Sequence, residues 1–255
     1  TESTYGGKSH HNPLDSEKHL EDVIRIAKQN KSKIIVPAFS VGRTQEIVYA
    51  LHRIFDRNEE ERIPVIVDSP LAVNATEVFR LHPECFDKEA NEFIHKNEDP
   101  FGFNKLIYIK DVEDSKKLND IEGPCFIISS SGMAETGRIL HHIANNIEDQ
   151  KNIILIVGYA AENTLARKLI DGEKQVNIFG EPYNVKAKII VLDSFSAHAD
   201  KDELFNYTDR IDKKLLKKIF LVHGEIEQQN IFYKRLIESG FDNVEIPQRG
   251  HIETL

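Results

Sequence analysis

Short runs of apolar, largely β-branched residues recur along the first two-thirds of this chain, at Lys33-Phe39, Pro64-Asp68, Leu106-Ile109, Cys125-Ser129 and Asn152-Gly158. Amphipathic stretches lie between them. Leu20, Val23, Ile24 and Ala27 recur at helical spacing, and Ile47, Val48, Leu51, Ile54 and Phe55 do the same after Gly42. Strand and helix in this alternation predict an α/β fold built on a doubly wound parallel sheet. With 255 residues and 40% hydrophobic content, the chain can bury one large core or two small ones.

From Gln175 the rhythm changes. Gln175-Gly180 and Asn184-Leu192 read as consecutive antiparallel strands, followed by a helix, a Lys218-His223 strand and a further helix over Glu225-Ser239 that Gly240 stops. A second layer or domain is expected there. Asp200-Lys201-Asp202-Glu203 carries the acid and the later Glu of a helix capping box. The segment 87–105, with Pro100 and Gly102 near its end, reads as an irregular excursion.

Charge and cysteine usage narrow the function classes. Lys and Arg total 33 against 42 for Asp and Glu, a net charge of -9, so a general basic coat for nucleic acid is excluded and any such grip must be local. Cys85 and Cys125 form no Cys-x-x-Cys pair, which predicts a reducing compartment and two buried thiols. No apolar run approaches the roughly 20 residues of a bilayer span, and Thr1-Tyr5 does not resemble a secretory signal. The expectation is a soluble, cytoplasmic protein without membrane partners.

In an open parallel sheet, ligands gather beyond the carboxyl ends of the strands. The turn Ser129-Ser130-Ser131-Gly132-Met133, leading into a predicted helix over Glu135-Asn146, offers hydroxyls and backbone N–H groups suited to a phosphate. Taken alone, such a turn is more often a plain helix cap. Arg43, at the start of its helix, is a phosphate fork or a surface arginine. The adjacent pairs His10-His11 and His141-His142 diverge on any regular backbone and read as solvated residues, and Asp68 in Asp-Ser-Pro reads as a turn former as much as a ligand or base. His198 and His223 each follow an apolar strand and precede a helix, which puts both on one sheet edge if those strands are neighbours. From spacing alone, either is a metal-centre residue or a structural histidine.

Taken together, Glu2-Ser3-Thr4-Tyr5-Gly6-Gly7, Phe39-Ser40-Val41-Gly42-Arg43-Thr44-Gln45-Glu46, Asp68-Ser69-Pro70-Leu71-Ala72, Ser129-Ser130-Ser131-Gly132-Met133, Ser196-Ala197-His198-Ala199-Asp200 and Val222-His223-Gly224-Glu225 resemble the β-CASP branch of the metallo-β-lactamase superfamily, in order and spacing. The resemblance implies the end of a metallo-β-lactamase half over 1–7, a β-CASP domain over 8–184 and the C-terminal part of the metallo-β-lactamase domain over 185–255. It implies a ribonuclease with two zinc ions and RNA as partner, entering between the two domains. Glu2 and His198 would be the catalytic pair, with His198 as general acid, and His223 a zinc ligand. Ser129, Ser130, Ser131, Gly132 and Met133 would line the phosphate path with Arg43. The products implied are a 5′-phosphate and a 3′-hydroxyl. Relatives acting on DNA tend to have valine where His223 stands, which favours RNA.

Two departures accompany the resemblance. A two-zinc site takes roughly five to seven ligands, yet no His-x-His spacing occurs in this chain. The remaining ligands of the family lie ahead of the Glu-Ser-Thr-Tyr-Gly motif, so the expectation is a piece of a longer protein, inactive by itself and exposing an apolar face that favours a homodimer. The second departure is Asn163, where relatives commonly have glycine; asparagine tolerates left-handed backbone. The alternative from another class is a non-catalytic RNA-binding or scaffold paralogue. A nucleotide-binding enzyme is disfavoured because neither a Gly-x-Gly-x-x-Gly nor a Gly-x-x-x-x-Gly-Lys loop occurs.

Overall fold

The computed structural model describes residues 1–9, 15–97 and 99–253. The chain divides into a larger unit, Asn12–Phe195, and a smaller one made of Thr1–His11 with Ser196–Leu255. The larger unit runs α1 (Ser16–Asn30), β1 (Lys33–Pro37), α2 (Arg43–Arg57), β2 (Val65–Asp68), α3 (Pro70–Leu81), α4 (Lys88–Asn97), β3 (Leu106–Ile109), α5 (Val112–Lys117), β4 (Cys125–Ser129), α6 (Arg138–Asn146), β5 (Ile153–Val157), α7 (Leu165–Ile170), β6 (Gln175–Ile178), β7 (Glu181–Asn184) and β8 (Lys188–Leu192). Its main sheet has the order β3-β2-β4-β1-β5-β8, with every pairing parallel.

The apolar runs are unbroken because both faces of this sheet are covered. Ile34 and Val36 of β1, Val65 and Val67 of β2, and Phe126 and Ile128 of β4 share a core with Leu20, Ile24, Leu51, Ile54 and Phe55 of α1 and α2. Their neighbours Ile35, Ile66, Ile127 and Ile154 belong to the other core, with Ile139 and Ile143 of α6 and Leu165 and Leu169 of α7. Each such buried side chain contributes about 1.5–3 kcal/mol. The fold is α/β with helices on both faces, as the alternation predicts.

Three expectations change. The segment 87–105 contains a helix, α4, because Phe93 seats edge-on against Tyr49 and His52, giving the helix an apolar anchor. The strands after Gln175 are not one antiparallel series. β6 and β7 form a hairpin closed by Phe179 and Gly180, at φ 55° and 84°, the left-handed pair that a two-residue turn requires. β8 then joins β5 in parallel, so residues 185–195 lie in the larger unit. The contact responsible is distant in sequence: the N–H groups of Lys186 and Ala187 donate to the Ile147 carbonyl, which turns the chain back to the sheet edge. Third, Cys125 is buried but Cys85, in a short turn after α3, is exposed.

The smaller unit contains α8 (Lys201–Asp209), β9 (Ile219–Phe220), α9 (Ile226–Glu238) and β10 (Val244–Glu245) around Leu204, Leu221, Phe232, Leu236 and Phe241. The Asp200 carboxylate accepts from the Asp202 and Glu203 N–H groups while Glu203 accepts from the Asp200 N–H, which is the capping box expected there. Gly240, at φ 85°, follows the end of α9. Asn163 stands at φ 66°, so asparagine does carry the left-handed turn ahead of α7. No described helix is long and apolar enough to cross a membrane. The pair His10-His11 lies outside the described residues.

Candidate active site around Glu2, His198 and His223

The start of the chain is stitched to the stretch that leads from β9 to His223. The Thr1 amino group donates to the Phe220 carbonyl at 2.8 Å, the Val222 N–H donates to Thr1, and Glu2 and Val222 form a parallel bridge. The chain turns at Thr4, whose N–H donates back to the Glu2 carboxylate. His223 itself has φ 50°, an uncommon conformation for a residue with a Cβ. The next residue, Gly224, leaves no room for a side chain: a Cβ there would lie 2.6 Å from the Ser3 carbonyl oxygen. Gly224→Ala is therefore expected to destabilise the smaller unit by about 1–3 kcal/mol and to displace His223, measurable as a lower melting temperature and altered His223 NMR shifts.

This stitching brings Glu2, His198 and His223 together, with donor atoms of all three within 4.8 Å of one another. The two imidazole centroids are 5.1 Å apart. Glu2 Oε2 lies 3.3 Å from His198 Nδ1 and accepts from the Thr4 N–H at 3.0 Å, while Oε1 accepts from the Ala199 N–H at 3.0 Å. Burial pushes the Glu2 carboxyl up, but the hydrogen bonds from Thr4 and Ala199 and the charge of His198 outweigh it and hold the pKa below the ordinary glutamate range. Glu2 is thus a fixed negative charge on the Nδ1 side of His198.

Thr4 is the member of this cluster that sequence reasoning missed. Its Oγ1 lies 3.1 Å from His223 Nδ1 and 3.4 Å from His198 Nδ1. No local pattern signals it, since both histidines lie far along the chain. With Nδ1 of His223 engaged by a hydroxyl, Nε2 is the nitrogen through which this exposed ring would hold a metal, the usual division of labour in a ligating histidine. An imidazole with an oriented second nitrogen, beside a carboxylate and another imidazole, is a donor set that suits zinc.

The phosphate candidates lie in the larger unit. Ser129 is buried and its Oγ donates to the Asp68 carbonyl, whereas Ser130, Ser131, Gly132 and Met133 are partly exposed. Helix α6 begins at Arg138, later than expected, because Ser131 Oγ accepts from the Glu135 and Thr136 N–H groups and holds them in the turn. Arg43 pairs with Glu46 and sits 6.0 Å over the Phe195 ring. Two further residues behave differently from expectation. Asp68 is fully buried, and His142 is buried too, with its Nε2 2.7 Å from Asp68 Oδ2. Neither is a solvated turn or helix residue, since each is the other's partner.

Residues 44–169 match the Beta-Casp domain model, and residues 182–247 match the Zn-dependent metallo-hydrolase RNA specificity domain model. The chain is 30% identical to Ribonuclease TTHA0252 of Thermus thermophilus over 89% of this chain and 51% of that protein. It is 30% identical to an RNase J-like protein of Methanocaldococcus jannaschii over 98% of this chain and 57% of the relative. It is 34% identical to Transcription termination factor FttA of Thermococcus kodakarensis over 88% of this chain and 35% of the relative. The chain thus spans about half the length of these relatives or less.

Proposed function

This chain belongs to the β-CASP branch of the metallo-β-lactamase superfamily, and on that premise we propose that it forms part of a zinc-dependent ribonuclease that hydrolyses RNA phosphodiester bonds. The observation that carries this reading is the Glu2–His198 pair beside His223. Glu2 holds the hydrogen on Nδ1 of His198, leaving Nε2 to deliver a proton. That proton goes to the 3′ oxygen as its bond to phosphorus breaks, while the oxygen of water becomes part of the 5′-phosphate. His223 would hold zinc through Nε2, with Thr4 orienting its ring. Zinc, when bound, supplies a Lewis acid that activates water and offsets charge on the phosphate. Arg43 and the Ser130-Met133 turn would receive phosphates of the RNA, with Ser129 shaping the turn from beneath.

Glu2, His198 and His223 cannot by themselves complete a two-metal centre, which takes roughly five to seven ligands. Residues 1–255 alone are therefore expected to bind zinc weakly and to cleave slowly. Metal analysis after dialysis checks this, and two tightly retained zinc ions would contradict it. With the full ligand set in place, labelled RNA should be cut to products bearing 5′-phosphate and 3′-hydroxyl ends, and a chelator should stop the reaction. Cleavage indifferent to chelator would overturn the reading.

A further inference from the structure

The turn between β4 and α6 hangs from a single residue of another strand. At its start, Ser129 Oγ donates to the Asp68 carbonyl at 2.7 Å; at its end, Arg138 Nη1 lies 2.6 Å from the Asp68 carboxylate. The other Asp68 carboxylate oxygen accepts from Ser115 Oγ at 2.5 Å and from His142 Nε2 at 2.7 Å. Arg138 Nη2 reaches on to the Lys110 carbonyl, beyond the end of β3. Next to Asp68, Ser69 Oγ lies 3.0 Å from Ser130 Oγ, so the same strand end also steadies the turn's first exposed hydroxyl.

A fully buried carboxylate is an expensive way to join strand ends, because apolar residues of similar volume often serve stability as well or better. What the charge adds is direction. Its partners approach along lone-pair lines, and Arg138 makes two hydrogen bonds of fixed geometry. His142 Nδ1 is buried with no hydrogen-bond partner among the described residues, so Nε2 carries the hydrogen and the ring acts as a single directed donor to Asp68.

We propose that Asp68, Arg138 and His142 form a positioning unit that holds the Ser130-Met133 turn in the shape that receives a phosphate of single-stranded RNA. The proposal rests on the reading of that turn as a phosphate-binding segment. None of the three residues touches the ligand; they set the distance and angle of the hydroxyls and N–H groups that do. Arg138→Lys keeps a cation for Asp68 but loses the second arm to Lys110. His142→Ala removes the directed donor, and His142→Gln returns an amide N–H near the same place.

The test is the Kd of the whole chain for a fluorescent oligoribonucleotide by anisotropy, with the melting temperature of each variant measured alongside. Ser131→Ala, within the turn, tests the reading itself. Arg138→Lys and His142→Ala are expected to raise Kd by about tenfold, the scale of a lost hydrogen bond to a charged group, at temperatures where each variant stays folded. His142→Gln should recover most of that affinity. If Ser131→Ala leaves Kd unchanged, the reading of the turn fails and the proposal with it. If Ser131→Ala weakens binding while Arg138→Lys and His142→Ala only lower the melting temperature, the reading stands and the proposal is overturned.

Discussion

Replacing His198 with alanine, with the full ligand set in place, is expected to lower RNA cleavage by roughly 10²–10⁴-fold, the usual contribution of a positioned general acid, with the loss falling on kcat. The His198 side chain is 32% exposed and lies outside the apolar core of the smaller unit, so the fold should survive its removal. The geometry states why the loss should be large. Glu2 is fixed by two backbone N–H groups and in turn fixes His198 Nδ1, so the alanine variant loses the imidazole that this carboxylate orients. Single-turnover cleavage of labelled RNA, with circular dichroism as a control, decides it. An alanine variant with wild-type kcat would remove His198 from the chemistry.

The second large effect is on stability. Asp68→Ala is expected to destabilise the protein by about 3–5 kcal/mol, because it leaves the partly exposed Arg138 and the buried His142 and Ser115 without their shared acceptor. Burial acts to raise the Asp68 pKa, but the hydrogen bonds from His142, Ser115 and Arg138 outweigh it and hold the pKa below the ordinary aspartate value. The sign follows from linkage. A group whose pKa is depressed on folding binds fewer protons in the native state, so its stabilisation is complete above the unfolded pKa, about 4, and is lost as pH falls through the lower, folded value. Denaturant melts between neutral pH and pH 3 should show a steeper acid decline for the natural protein than for Asp68→Asn. Equal slopes would mean that Asp68 is not held ionised by its partners.

Much of the candidate site was legible as residue types and little of it as geometry. His198 and His223 stood out because each closes an apolar run and opens a helix. Thr4 did not, because a hydroxyl between two imidazoles has no signature until the strands that carry them are adjacent. His142 was misread for a related reason. One of two neighbouring histidines on a helix faces the sheet, and only the buried Asp68 opposite it explains why a polar ring should go there. β8 was placed in the wrong layer because an edge strand with partial burial resembles any half-covered strand. Its partner is chosen by the Ile147 carbonyl, some forty residues earlier in the chain.

The alternation of apolar runs with amphipathic helices determined the doubly wound parallel sheet by itself, since side-chain periodicity is a local property and burial on both faces leaves few other solutions. The capping box at Asp200 and the left-handed turn at Asn163 were decided just as locally. Tertiary structure alone decided that Glu2 meets a histidine 196 positions away at 3.3 Å and that Asp68 holds both ends of a distant turn. Such contacts depend on which strands pair and in what register, and no stretch of sequence short enough to read as a pattern contains both partners.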